Sequence, residues 1–218
     1  MITVQIASIP DRERLLFKTV ESLYNQCDVI NIFLNGYDSI PEGLKRDRIN
    51  CLILDNSTGD AAKFYGVENL KGYIFTCDDD IIYPPTYVAD TIEAIKKNKA
   101  LVTYHGKLFL DKPTTDYYNG GQKKYSFLKE LKIDTVVDVC GTGVSAFHSD
   151  FLKVRYSDFH IRNMTDIHLS KLCKEQAVKI VCLKHRENYF KYQNPKTTIW
   201  NEYKDNCKPQ TDLLNSFL

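Results

Sequence analysis

Residues 72–85 read Gly72-Tyr73-Ile74-Phe75-Thr76-Cys77-Asp78-Asp79-Asp80-Ile81-Ile82-Tyr83-Pro84-Pro85. An apolar run of strand length stops at three carboxylates, and two prolines follow. The pattern is that of a buried strand delivering charge at its carboxyl end. Side chains two apart on an extended segment point to the same side. Asp78 and Asp80 are therefore expected to converge while Asp79 faces away. Two convergent carboxylates with open positions suit Mg²⁺ or Mn²⁺, which take oxygen ligands and complete their shell with water or phosphate. A bare acidic triplet reads first as a solvated turn. The apolar strand before it and Ile-Ile-Tyr-Pro-Pro after it tip the reading to a site.

Outward from this strand, short β-rich runs alternate with helical patterns. Ile2 to Ser8, Val29 to Leu34, Ile49 to Leu54, Gly72 to Cys77 and Ala100 to Tyr104 read as strands. Arg12 to Asn25 carries Leu15, Leu16, Val20, Leu23 and Tyr24 on one stripe and reads as a helix. Asp60 to Tyr65 reads as a short helix, and Pro84 and Pro85 suit the first turn of a helix reaching about Asn98. Such alternation implies βαβ units: an α/β fold with a mostly parallel central sheet flanked by helices. Ligands bind beyond the carboxyl ends of the strands in these sheets. The ends to inspect are Ser8 to Arg14, Asn35 to Tyr37, Asp55 to Lys63 and Asp78 to Asp80. The second half is less regular. Tyr104 to Lys124 reads as a long loop. Thr135 to Cys140 and Val144 to Phe147 read as strands around Gly141-Thr142-Gly143, Thr165 to Glu175 as a helix and Val178 to Leu183 as the last strand. From His185 onward the tail is polar and aromatic, with no strong period.

The chain has 218 residues, 43% of them apolar, enough for one sizeable core and marginal for two. Its 29 basic and 28 acidic residues nearly cancel. A nucleic-acid binder would show a basic excess, so a small or neutral partner is favoured. The first ten residues have no basic region ahead of an apolar stretch, and no run approaches the roughly 18 apolar residues of a membrane span. The expectation is a soluble, cytoplasmic protein, or one with peripheral membrane contact. Seven cysteines without a Cys-x-x-Cys pair read as reduced core thiols, and their spacing does not suit zinc.

In this order, the motifs resemble those of the GT-A glycosyltransferases, especially the family-2-like enzymes of bacterial and viral surface-polysaccharide pathways. The resemblance runs from Ile2 to about Leu183. It rests on Ala7-Ser8-Ile9-Pro10-Asp11-Arg12 at the first strand end and Gly59-Asp60-Ala61-Ala62-Lys63-Phe64 ahead of the acidic strand. Asp78-Asp79-Asp80 stands where the family has its metal-binding Asp-x-Asp, and His105-Gly106, Gly141-Thr142-Gly143 and Asn163-Met164-Thr165-Asp166-Ile167 follow.

The resemblance implies a Rossmann-like fold in one domain, with residues 1–105 as the nucleotide-sugar half and 106–218 as the acceptor half and tail. It implies transfer of a hexosyl or deoxyhexosyl group from a nucleotide-diphosphate sugar to a hydroxyl of a glycan or glycolipid. Inversion is the first expectation and retention the alternative. Mn²⁺ or Mg²⁺ would neutralise charge developing on the leaving diphosphate. Asp80 would be the main metal ligand, with Asp78 on the metal or the ribose and Asp79 beside the nucleotide. Pro10, Arg12, Asp55, Asp60 and Lys63 would lie around base, ribose and diphosphate. Gly141 and Gly143 would let the backbone approach the sugar or acceptor. Asp166 aligns with the general base of inverting members, and His185 with a metal-binding histidine. The usual acidic pair is here Thr165-Asp166, so one carboxylate is missing.

Each residue also has a plainer reading. Arg12 suits a solvated first turn, and the two glycines an ordinary tight turn. Asp166 suits a helix start, where it complements the dipole. His105, His168 and His185 suit structural positions. Tyr189, Phe190, Tyr192, Trp200 and Tyr203 form either a stacking surface for sugar or a wrap over the core. Two other functions compete. A sugar-nucleotide pyrophosphorylase shares sheet type and metal, but normally binds its triphosphate with an N-terminal glycine-rich loop, and Ile2 to Arg14 holds no glycine. A non-catalytic sugar-binding module would have no need of the aspartates.

Overall fold

Ile2–Ser8, Val29–Asn35 and Tyr73–Asp78 become neighbouring strands covered on both faces, and Ile49–Leu54 takes the sheet edge with Leu52 and Ile53 exposed. A computed structural model describes residues 1–203 and 205–218, except for the side chains of Trp200 and Glu202. In chain order the elements are β1 (Ile2–Ser8), α1 (Glu13–Leu23), β2 (Val29–Asn35), β3 (Ile49–Leu54), β4 (Tyr73–Asp78), β5 (Ile81–Ile82), α2 (Tyr87–Asn98), β6 (Leu101–Thr103), β7 (Gly106–Phe109), β8 (Gln122–Tyr125), β9 (Thr135–Val136), β10 (Val139–Cys140), β11 (Val144–His148), α3 (Thr165–Glu175), β12 (Ile180–Cys182), β13 (Lys191–Tyr192), α4 (Ile199–Tyr203) and α5 (Lys208–Asn215).

Eight strands form one sheet in the order β3-β2-β1-β4-β11-β6-β12-β9. The first four are parallel, β11 is antiparallel to both β4 and β6, β12 is parallel to β6, and β9 is antiparallel to β12. Only β11 and β9 therefore run against the other six. From β1 the chain steps outward to β2 and β3, then returns to β4 on the opposite side of β1. That reversal opens a crevice at the carboxyl ends of β1 and β4, the place where such sheets bind ligands.

Both sheet faces are covered. Val4, Ile6, Ile32, Leu34, Phe75 and Cys77 pack against Leu16, Val20 and Leu23 of α1 and Tyr87 and Ile95 of α2. Ala61, Phe64, Ile74, Phe147, Leu169 and Cys173 form the core on the other face. The expected α/β fold with a mostly parallel sheet is what the chain adopts.

The second half departs from its expected layout. Gly106 and Tyr125 pair within a hairpin of β7 and β8, not a loop, and β10 joins its other edge. The expected strand from Thr135 to Cys140 breaks in two. Val137 donates its amide to Ile180 of the large sheet, while the Asp138 carboxylate accepts from the Phe109 amide of the small one, 2.8 Å away. Described parts of the tail join the fold: β13 pairs with β5, and α5 closes a third core with Phe109, Tyr117 and Ile167. Phe190 sits against Tyr83, Tyr87 and Tyr104, so the core-wrap reading holds for it. Tyr192 instead reaches the crevice. The Trp200 side chain lies outside the described residues. All seven cysteines are free, and among the described residues no helix is long and apolar enough to cross a membrane.

Candidate functional site

The crevice holds about 640 Å³. Its lining includes Ser8, Arg12, Asn35, Asp60 and Lys63 with the acidic turn, together with His105, Lys107, Gly141, Gly143 and Asp166. They come from strand ends and the loops that follow them, from the 3-10 turns Pro10–Arg12 and Gly59–Phe64, from β7 and from the start of α3.

The acidic turn is laid out differently from the expected alternation. β4 ends at Asp78, so the two-residue rule no longer governs Asp79 and Asp80. Asp79 turns inward, is 2% exposed, and accepts from Ser8 Oγ at 2.6 Å and Arg12 Nη1 at 2.8 Å. Asp80 shares the same Arg12 nitrogen at 3.2 Å. Asp78 goes to a different cation, Lys63, whose Nζ lies 2.5 Å from Oδ1. The turn is pinned from beneath. Tyr83 donates to the Gly143 carbonyl at 2.5 Å and accepts from the Asp78 amide at 2.9 Å. The tail clamps it from above: Gln193 N–H donates to the Asp80 carbonyl, and Arg12 Nη2 to the Thr197 carbonyl at 2.6 Å. Nη1 and Nη2 of Arg12 thus clamp the site, while its Nε has no partner.

Negative charge outweighs its partners here. Burial, then Asp78 and Asp79, push the Asp80 carboxyl up to about 7 despite Arg12 and Lys63. Burial raises Asp79 as well, against Arg12. Burial would also raise Asp78, but Lys63 and then Arg12 hold it below the usual carboxylate range. Lys63 resists the lowering effect of its own burial because Asp78 and Asp60 face it, and its ammonium is held above its ordinary range. Such a surplus of carboxylate oxygens fits a hard divalent cation. Among the described residues no three His, Cys, Asp or Glu side chains form a ready cage, so such an ion would draw its remaining ligands from phosphate and water.

Four buried polar atoms of this lining lack a hydrogen-bond partner: Arg12 Nε, Asn35 Oδ1, Asp60 Oδ1 and His105 Nδ1. Orphaned buried groups are costly, and a ligand in the crevice would satisfy these four; the seven other such atoms among the described residues lie off its lining. Asn35 is fixed by donating to the Gly59 carbonyl at 2.8 Å, and Asp60 by accepting from Thr165. Burial lifts the Asp60 carboxyl to about 6, partly offset by Lys63 and the Thr165 bond.

Gly141 and Gly143 both line the crevice without left-handed backbone, so space rather than φ demands glycine. A Cβ on Gly141 would lie 2.9 Å from the His105 Cβ, and one on Gly143 would collide with the Asp78 carboxylate. Between them, Thr142 donates its amide and its hydroxyl to Asp166 Oδ1, each at 2.7 Å. Asp166 therefore sits in the crevice at the first turn of α3, with Oδ1 committed to this loop and Oδ2 outside that clasp.

Three expected positions lie elsewhere. Asp55 is exposed and holds Ser57 in a tight turn, whose hydrogen bonds keep its carboxyl below the usual range. Pro10 opens a short 3-10 helix before α1 and is not among the lining residues. His185 is packed on Tyr104 and Phe190 with its ring nitrogens facing the carbonyls of Leu183 and Ser126 at 2.8 and 3.2 Å, which suits a structural histidine and not a metal ligand. His168 is likewise packed, beside His160, and burial with that neighbour pushes it down to about 4. Lys107 and Lys124 line the crevice and were not singled out by the sequence, because the hairpin that carries them read as a loop.

No protein-family model matches the chain, and no curated protein matches it in sequence. Among solved structures, the fold matches that of 4-diphosphocytidyl-2C-methyl-D-erythritol synthase from Anaerococcus prevotii DSM 20548, with a TM-score of 0.59 at 16% identity. The match covers 100% of this chain and 97% of that one. The fold is Rossmann-like. At this identity the likeness carries the architecture and no more.

Proposed function

We propose that the chain is a transferase acting on a nucleotide-linked donor and, within that class, a metal-dependent glycosyltransferase of the GT-A type. One observation carries the reading. The loop Gly141–Gly143 is gripped at one end by the Asp166 carboxylate and at the other by the Tyr83 hydroxyl beneath the acidic turn. A candidate base and a candidate diphosphate site thus border a single crevice and share one loop.

In this reading Asn35 and Asp60 offer acceptor oxygens to the N–H and O–H groups of a base and ribose. Asp78 and Asp80 would hold Mn²⁺ or Mg²⁺, which when bound offsets charge on the departing diphosphate. Lys63 keeps Asp78 ionised, and Arg12 with Ser8 fixes Asp79, so Asp79 positions the turn without touching the donor. Asp166 Oδ2 takes the proton from the acceptor hydroxyl. The hydroxyl oxygen then bonds to the anomeric carbon as the bond from that carbon to the diphosphate oxygen breaks, and nucleoside diphosphate leaves with the electron pair.

A second reading is nucleotidyl transfer of the pyrophosphorylase kind, with a nucleoside triphosphate as substrate. The likeness to a synthase of a diphosphocytidyl compound speaks more directly for it than for glycosyl transfer. The first strand end speaks against it. Residues 8–14 hold no glycine, and Pro10 removes an amide where a triphosphate would need a cradle of backbone N–H groups. One assay separates the two. Nucleotide sugars with Mn²⁺ and a mixed glycan acceptor pool should yield nucleoside diphosphate, and chelation should stop it. Asp80→Ala should abolish turnover with little change in melting temperature. Pyrophosphate release from nucleoside triphosphate and a sugar phosphate would install the second reading. Neither product would leave a binding module.

A further inference from the structure

The hairpin that the sequence hid carries a charge arrangement that the proposed reaction has not used. Lys107 of β7 lies directly opposite Lys124 of β8 in the antiparallel register. Directly opposed residues project from the same face with Cβ atoms about 5 Å apart, and like charges there destabilise the pair. Both lysines line the crevice. Neither has a carboxylate within ion-pair distance among the described residues.

Lys107 is the sharper case, being only 9% exposed. Its ammonium, with three protons to donate, reaches the Tyr117 carbonyl at 3.3 Å. It otherwise sits over aromatic faces, 3.4 Å from the Tyr117 ring centre and 4.7 Å from that of Tyr118. A desolvated cation held by one carbonyl and two rings still lacks an anion. Asp166 supplies long-range attraction, but its Oδ1 is taken by Thr142. Tyr118, beside Lys107, and Phe127 also line the crevice and offer ring surface for a sugar.

We infer that Lys107 and Lys124 together bind an anionic group, a carboxylate or phosphate, carried by the acceptor beside the hydroxyl that Asp166 deprotonates. The inference rests on the glycosyl-transfer reading for the word acceptor; the anion site itself does not. The pair would select charged acceptor sugars over neutral ones, and bound anion would remove the like-charge strain across the hairpin.

Binding, not turnover, tests it. Methyl glucoside, methyl glucuronide and glucose 6-phosphate are titrated into the full chain, and the amide signals of β7 and β8 are followed by NMR. At least one anionic probe should bind about tenfold or more tightly than the neutral one, the size of a charged hydrogen bond. The carboxylate and phosphate arms identify which anion fits. Lys107→Met and Lys124→Met should each erase about tenfold of that preference, while Lys123→Met, paired with Leu108 on the opposite face, should keep it. Should Lys107→Met fail to fold, the exposed Lys124 carries the test alone. Equal binding of all three sugars overturns the inference, and so does a preference that survives Lys124→Met. Nucleoside diphosphate whose affinity falls in the lysine variants, with acceptor preference unchanged, would assign the pair to the donor and overturn it too. Anion binding without any nucleoside diphosphate release would sink the glycosyl-transfer reading and leave the anion site standing.

Discussion

Lys63 decides whether the crevice floor can stay charged. It is 3% exposed, it contacts Asp78, and Asp60 lies in its field. Removing one partner of a buried charge cluster strands the rest, which typically costs about 3–5 kcal/mol. Lys63→Met should lose on the order of 3 kcal/mol in urea unfolding at pH 7. The sign with pH follows from Asp60, whose folded carboxyl already stands at about 6, above its unfolded value. A raised carboxyl favours the folded state at low pH and loses that advantage as pH rises through it. The deficit of Lys63→Met should therefore shrink on going from pH 7 to pH 5. A deficit independent of pH would mean that packing, not charge, is what the lysine supplies. Lys63 was legible from its place after a strand end. Its service to two carboxylates at once was not, because Asp60 and Asp78 come together only through the sheet.

At the scale of elements, the loop between β10 and β11 couples the two chemical ends of the crevice, and two substitutions should separate them. Gly143→Ala drives a methyl into the Asp78 carboxylate, so metal-supported donor binding and transfer should both fail. Asp166→Asn keeps an oxygen for the Thr142 donors but removes the base, so donor binding should hold while transfer falls by about 10² or more. Equal loss of donor affinity in both variants, read by calorimetry, would make Asp166 structural. The same loop shows what a linear reading reaches. β1, β3 and α3 lie where their patterns put them; β1 and α3 carry a full period of buried residues, while the edge strand β3 buries none and was legible from its apolar, β-branched run. β7 and β8 hid because twelve residues separate two four-residue strands, and β8 faces largely outward. That Asp78 and Asp80 meet at a crevice was legible, but not that they pair with different cations. Alternation predicts side only while the chain stays extended, and β4 stops at Asp78.

Across the whole molecule, thiols rather than carboxylates should govern stability in alkali. Cys27, Cys77, Cys140, Cys173 and Cys182 are buried in both faces of the sheet and in α3, and burial raises the pKa of each, to about 11 for Cys27 and about 12 for Cys140 and Cys182. A thiol raised in the folded state gives its full contribution below the unfolded value of about 8.5 and loses it as pH climbs above that. At pH 9.5 each unfolded thiolate gains about 1.4 kcal/mol, so the five together withdraw about 7 kcal/mol, comparable to the whole stability of a typical domain. Lys107 works the other way. Burial pushes it down to about 7, so the cost of its buried charge disappears between pH 7 and about 10, returning about 3 kcal/mol by pH 9.5. The thiols win, and reduced protein should lose on the order of 4 kcal/mol between pH 7.5 and 9.5 in urea titrations. Lys107→Met has no charge to shed, so its fall over the same range should be steeper than that of the unaltered chain. Parallel slopes for the two proteins would show that Lys107 reaches water in the folded state, and a flat curve for both would show that the thiols do.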